Sequence, residues 1–223
     1  MKKTILVAGA TGETGRIIVN KLINRGFIPR VLVRDPGGAR KILGAVPKIF
    51  KGDVREYDTL VPALEGVDVL ISAVGTRTPV GKNCPKRVDY QGVANLVKAA
   101  GEAGVQRFIL ISSVAVTHPD HPLNRFGRIL DWKRAGEEAL QNSSLCYTII
   151  RPGGLKNTPE GKKRLIVDQG DRILGMISRA DLAETCLQAL GCRHSERTTF
   201  EVIETDHKGP PDWSGLFSPL KND

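Results

Sequence analysis

Three glycines near the start of the chain have a spacing that suits a phosphate. The segment Ile5-Leu-Val-Ala-Gly-Ala-Thr-Gly-Glu-Thr-Gly-Arg16 carries Gly9, Gly12 and Gly15 between an apolar run and an amphipathic stretch. In that setting Gly9 permits a tight turn off a strand. Gly12 lets the backbone approach a diphosphate, and Gly15 lets a helix pack close to the strand. The helix tip at Thr11, Gly12, Glu13 and Thr14 then points unpaired N–H groups and a partial positive charge at the phosphates. A plain tight turn would not need three spaced glycines. The expectation is a dinucleotide site.

Other residues fall where the rest of such a ligand would lie. Arg34 follows Val33, where NAD-selective sites place an acid on the ribose 2′-hydroxyl. A guanidinium there favours a 2′-phosphate, hence NADP(H) over NAD(H), although Asp35 follows at once; the plainer reading of Arg34 is a surface charge. Asp53, with Val54 beside it, is placed to accept from the adenine amino group or to serve as a turn or helix cap. Ala73, Val74 and Gly75 form a small turn that leaves space beside the adenine ribose. Ser112 and Ser113 end a strand where the nicotinamide should lie. They suit either its carboxamide, a substrate, or a strand-terminal turn bond. Pro152, Gly153 and Gly154 would let backbone approach the nicotinamide. Lys133 shares a helical stripe with Ile129, Leu130, Gly136 and Leu140, so its ammonium must reach something polar. The nicotinamide ribose is one target; Glu137, one helical turn on, is the other. His118 and His121 flank Asp120, but no third metal ligand is evident, so no metal is expected. Ser178 and Asp181 have the spacing of a capping box.

The elements that must hold these residues alternate along the chain. Strands are expected at Thr4–Ala8, Pro29–Val33, Val46–Phe50, Val67–Ser72, Arg107–Ser112 and Leu145–Arg151, and helices at Gly12–Arg25, Val88–Ala103 and Gly127–Gln141. Most of the strands are continuous apolar runs, which signals burial on both faces. The fold class is therefore α/β: a doubly wound parallel sheet of Rossmann type with helices on both faces. Every candidate residue then sits at a strand's C-terminal end, where ligands of such sheets bind. After Arg151 the pattern loosens. Pro152–Lys163 reads as a loop, Arg164–Asp168 as a short strand, Ser178–Leu190 as a helix and Thr198–Ile203 as a last strand. One domain is expected over residues 1–223, with 1–151 as cofactor-binding core and 152–223 as a small substrate-side extension and tail. Trp213, Leu216 and Phe217 in the tail either dock back as a short helix or meet a protein partner.

Composition narrows the function classes. The net charge of +9 arises entirely before residue 151, where 22 Lys and Arg face 13 Asp and Glu. That suits an anionic ligand or a solvated basic surface. Zinc spacing, an RNA-recognition aromatic motif and long basic runs are all missing, so nucleic acid is not an expected partner. Cys84, Cys146, Cys186 and Cys192 include no C-x-x-C pair and read as reduced thiols in a cytosol-like compartment. Met1 to Thr4 run directly into the first strand, which leaves no room for a signal or transit peptide in this chain. No apolar run approaches the length of a membrane span.

GATGETG, VLVRD, KGDV, the serine pair, WKRAGEEAL and YTIIRPGGL together resemble the atypical short-chain dehydrogenase/reductase group with NmrA-like NAD(P)H-binding domains. HPDHPLN, ISRADLAETCLQAL and DWSGLF resemble its plant and cyanobacterial members. The spacing of GATGETG, VLVRD, KGDV, GTR and ISRAD is similar to biliverdin-IXβ reductase/flavin reductase. The resemblance implies an NADP-binding Rossmann fold in the cytoplasm, or in the plastid stroma if a transit peptide was removed. It also implies a catalytic Ser and Lys, matched here by Ser113 and Lys133. The superfamily's usual Tyr acid precedes the Lys by four residues, and Ile129 occupies that position; Tyr57, Tyr90 and Tyr147 lie elsewhere. The expected reaction is hydride transfer from NADPH to a planar conjugated acceptor of the flavin or linear tetrapyrrole class, whose proton can come from water. The alternative is a non-catalytic NADP(H)-binding redox sensor or assembly factor. A sugar-nucleotide epimerase or dehydratase fits less well, since the Tyr is missing and the chain is short.

Overall fold

The computed structural model describes residues 3–45 and 47–223. Met1, Lys2 and Val46, where the third strand was expected to begin, lie outside the described residues. β1 (Ile5–Ala8) is buried along its whole length, as a strand covered by helices on both faces must be. α1 (Glu13–Asn24) turns Ile18, Val19 and Leu22 inward. It stops because Gly26 takes a φ of 74° and the Phe27 N–H returns to the Leu22 carbonyl at 3.0 Å. Only glycine adopts that closing conformation at little cost.

The chain continues through β2 (Arg30–Val33), α2 (Pro36–Leu43), β3 (Lys48–Lys51), α3 (Val61–Leu64), β4 (Val69–Ser72), α4 (Val93–Glu102), β5 (Arg107–Ile111), α5 (Ile129–Gln141) and β6 (Tyr147–Pro152). Next come β7 (Gly154–Lys156), β8 (Lys163–Asp168), β9 (Met176–Ser178), α6 (Arg179–Gly191) and β10 (Thr198–Lys208). The main sheet runs β3-β2-β1-β4-β5-β6-β10-β8, parallel except for β8 against β10. β7 and β9 pair separately as a two-stranded parallel sheet. This is the doubly wound Rossmann architecture. The chain walks outward from β1 in one direction and from β4 in the other, so a crevice opens above the ends of β1 and β4.

Alternate residues of each strand feed two cores. Val7, Val33, Ile71 and Ile109 meet Ile18, Leu22, Leu182 and Cys186 of α1 and α6. Leu6, Leu32, Leu70 and Phe108 meet Leu64, Leu96, Val97 and Leu140 of α3, α4 and α5.

Several details differ from the sequence reading. The stretch 37–38 is glycine-rich and hides the periodicity of α2, which starts on Pro36 at a position where proline is preorganised. The helix expected from Val88 begins instead as a π-helical turn, Lys86–Gly92, before α4 takes over. The stretch Pro152–Lys163 is not all loop, since β7 lies inside it. The tail docks as a series of turns rather than a helix. Leu216, Phe217 and Leu220 are buried in the α1/α6 core, and the Phe217 ring meets Phe200 edge-on at 5.7 Å. The apolar surface suggested for a protein partner is thus used internally.

Candidate functional site

The glycine turn has the geometry its spacing demands. Gly9 has a φ of 78°, and a Cβ there would lie 2.5 Å from the Ala73 carbonyl oxygen. Gly15 is buried under the turn, where a Cβ would meet the Gly9 oxygen at 2.1 Å. Gly12 is the N-cap of α1 and offers no side chain to cap it. The first helical bond is Arg16 N–H to the Gly12 oxygen. The N–H groups of Glu13, Thr14 and Gly15 therefore have no acceptor within the helix. A diphosphate fits that requirement directly. Glu13 turns aside, its Oε2 2.9 Å from both Arg77 and Arg179. The Arg77 hydrogen bond and the Arg179 charge hold its carboxyl below the ordinary carboxylate range.

A cleft of about 450 Å³ runs along the ends of β1, β2, β3 and β4. Of the expected cofactor residues, Gly9, Thr11, Gly12, Glu13, Arg34, Asp53, Val54, Ala73, Val74 and Gly75 line it. Arg55, Thr76, Arg77 and Asn83 line it too. Asp53 is not a bare acceptor. Its Oδ1 takes hydrogen bonds from the Arg55 backbone N–H at 3.0 Å and Nε at 2.9 Å, and its Oδ2 takes one from Nη2. That fork holds its carboxyl below the ordinary range against the opposing effect of burial.

The end expected to take the nicotinamide lies beside this cleft and is small. A small chamber, sharing Val74 with the cleft, is lined by Ser112, Lys133 and Asp89. The Lys133 ammonium is 2.8 Å from Asp89 Oδ1. This is an ion pair by distance, with an approach out of line for a hydrogen bond. The Ser112 hydroxyl is buried without a partner among the described residues, an unusual state that leaves it free for a ligand. Of the protein partners, Lys133 contacts Asp89 and not Glu137, the residue expected one helical turn on. Glu137 sits one turn further along α5 and faces β6, where Arg151 takes both its oxygens at 3.1 and 2.7 Å. Arg151 also lies 3.5 Å from Glu201 of β10, whose carboxyl burial pushes upward.

Ser113, Pro152, Gly153 and Gly154 line neither space. The glycines are needed for a different close approach: a Cβ on Gly153 would meet the Gly175 oxygen at 2.5 Å, and the Gly154 N–H bonds that oxygen at 2.8 Å. The histidines are also engaged elsewhere. His118 Nε2 lies 3.1 Å from the Asp171 carbonyl oxygen, and His121 Nδ1 accepts from Leu123 N–H. Among the described residues no three metal-binding side chains converge. Ser178 caps α6, its hydroxyl accepting from Asp181 N–H at 2.9 Å. Sequence reasoning missed Arg55, Asn83 and Asp89. A signal existed for Asp89, which lies on the stripe of Val93, Leu96 and Ala100: a charge on an apolar stripe, the same argument that selected Lys133.

Fold, glycine turn and cleft together define a pyridine-dinucleotide-binding protein. The chain belongs to the NAD(P)H-binding family, whose family model matches residues 9–193. It is 37% identical to an uncharacterized chloroplastic protein of Arabidopsis thaliana, over 97% of this chain and 75% of that one. It is 34% identical to sanguinarine reductase of Eschscholzia californica, over 98% and 96%. Among solved structures it is similar to a putative NAD-dependent epimerase/dehydratase from Bacillus halodurans, with a TM-score of 0.83 at 27% identity, covering 98% of this chain and all of that one. No helix among the described residues is long and apolar enough to cross a membrane.

Proposed function

We propose that the protein is an NADPH-dependent reductase that delivers hydride to a planar conjugated acceptor of the flavin or linear tetrapyrrole class. One observation carries this reading: the uncapped α1 tip at Gly12 and Glu13 and the Arg34 side chain line one cleft, while Ile129 stands where the family's acid would be. A planar conjugated acceptor takes hydride at one atom and can draw its proton from water, so it does not need the missing Tyr. The similarity to a sanguinarine reductase along nearly the full length of both chains favours a reductase.

The bound nicotinamide would supply the hydride. The chain's own residues supply position and electrostatics. The α1 tip holds the diphosphate, and Arg34 favours the 2′-phosphate. Lys133, set by Asp89, reaches the ribose, while Ser112 orients the carboxamide or the acceptor. Leu174 and Met176, beside the end of β6, expose apolar surface suited to a flat, apolar ring system. The free cysteines fit a reducing compartment, and the chloroplastic relative favours the plastid stroma over the cytoplasm.

The test is NADPH oxidation with FMN, riboflavin and biliverdins as acceptors. Turnover above the protein-free rate is expected for at least one. Tight NADPH binding with no turnover on any of them would remove the reductase reading and leave the non-catalytic sensor or assembly factor.

A further inference from the structure

We infer that Arg34 and Arg55 together form a slot for a phosphomonoester at the adenosine end of the cleft, and that Asp53 is the positioning residue that holds Arg55 in it. This rests on the dinucleotide reading above and specifies how the cleft would select the 2′-phosphorylated cofactor.

The key feature is a convergence of two cations on one neutral atom. Arg34 follows β2 and Arg55 follows β3. Each directs Nη1 at the same acceptor, Oδ1 of Asn83, at 3.3 Å and 3.0 Å. Two guanidinium groups that close repel one another, and an amide oxygen neutralises neither. Asp53 pairs directly with Arg55, gripping its Nε and Nη2 edge, and meets the Arg34 charge only at longer range. Among the described residues Arg34 forms no ion pair, so the excess positive charge is concentrated where the Asn83 oxygen sits. A phosphomonoester answers that arrangement in charge and in shape. It carries nearly two negative charges at neutral pH and has three terminal oxygens, and guanidinium forks match phosphate oxygens well. In the bound state its oxygens would take the place of Asn83 Oδ1 between the two Nη1 groups.

The same geometry reassigns Asp53. A carboxylate in front of the slot would repel a phosphate. Asp53 stands behind Arg55, on the edge of the guanidinium away from Asn83, and the Arg55 backbone N–H and fork occupy its oxygens. The Nη1 edge is left for the ligand, steadied by the Lys82 carbonyl at 2.8 Å. This contact holds the carboxyl below the ordinary carboxylate range, so it is ionised at neutral pH, where the phosphomonoester carries nearly two charges.

The experiment measures the affinity of the full chain for two matched pairs: NADPH against NADH, and 2′,5′-ADP against 5′-AMP, by calorimetry. Arg55→Ala should weaken NADPH and 2′,5′-ADP by about tenfold or more, the loss expected for a charge-assisted contact. NADH and 5′-AMP should stay within about twofold. Asp53→Asn should show the same selectivity with a smaller loss, because it loosens the arm without removing it. Arg55→Gln, which keeps a polar hydrogen-bonding side chain without the charge, should repeat the Arg55→Ala pattern even if alanine impairs folding. Equal weakening of phosphorylated and unphosphorylated ligands, or unchanged affinity, would overturn the slot. An Asp53→Asn protein that loses 5′-AMP as much as 2′,5′-ADP would return Asp53 to the adenine. An unaltered chain that binds neither dinucleotide would instead remove the cofactor reading itself, and this slot with it.

Discussion

Gly15→Ala separates the two jobs of the glycine turn. The new Cβ would lie 2.1 Å from the Gly9 oxygen, 2.8 Å from the Gly9 carbonyl carbon and 2.9 Å from Ala10 Cα. All three atoms are backbone, so no side chain can rotate away. Ordinary contact begins near 3.4 Å, so α1 must retreat from the turn by about 1.3 Å. Overpacking of this kind costs about 1–3 kcal/mol. Alanine's better helix propensity offsets roughly 0.5–1 kcal/mol of that. The net loss of about 0–2.5 kcal/mol lowers the melting temperature of a chain this size by up to about 10 °C. Binding suffers more. The N–H groups at the α1 tip move with the helix, and loss of one charge-assisted bond weakens NADPH by about tenfold to a hundredfold. Gly12→Ala is the comparison. Its φ of −70° suits any residue, and its Cβ would meet only the Gly9 oxygen, at 3.2 Å. That variant should melt within about 2 °C of the parent yet bind NADPH poorly, because the methyl group occupies the phosphate's approach. Thermal melts paired with nucleotide titrations decide the matter. A Gly15→Ala protein with unchanged melting and affinity, or a Gly12→Ala protein that binds as tightly as the parent, would refute the geometry.

Other perturbations probe the scaffold. Arg151→Met strands Glu137 and Glu201 without their cation and should cost about 3–5 kcal/mol in urea unfolding, with much of the loss recovered when Glu137 is also made Met. Phe217→Ala empties a buried site against Phe200 and should cost about 3–5 kcal/mol, reported by the same assay. Burial raises the Asp171 carboxyl, but hydrogen bonds from the Thr117 N–H and hydroxyl and the Ala115 N–H more than offset it, so the folded-state value is depressed. Its stabilisation is present above the ordinary carboxylate range and is lost as the pH falls below about 4. Asp171→Asn should therefore flatten that acid limb in melts taken across pH.

Much of the architecture was legible because strands covered on both faces must be continuously apolar. β1, β4, β5 and β6 announce themselves in that way. So does the turn at Gly9, Gly12 and Gly15, since its backbone geometry admits few other residues. α2 was not legible, because Gly37 and Gly38 dilute its periodicity. β7 and β9 were hidden as well: each is three residues long, too short for a period to register. The adenosine end of the cleft was half legible. Arg34 was selected by its position after β2, but Arg55 depends on a partner from the loop at Asn83, and no local pattern reveals such a meeting. Lys133 was selected as a buried cation needing a partner. That the partner is Asp89 follows from the packing of α5 on the π-helical turn, where Gly136 comes so near that a Cβ would lie 2.5 Å from the Asp89 oxygen.

That wide turn also acts as an angular offset. An ordinary helix advances about 100° per residue, and the π-helical segment Lys86–Gly92 absorbs additional backbone before α4 begins. Phase on its two sides is thereby set independently: Asp89 looks toward Lys133 while Leu96, Val97 and Ala100 look into the core. Removing one residue between 86 and 92 would therefore be taken up by the turn itself, which would close to ordinary α-helix while α4 kept its apolar seam.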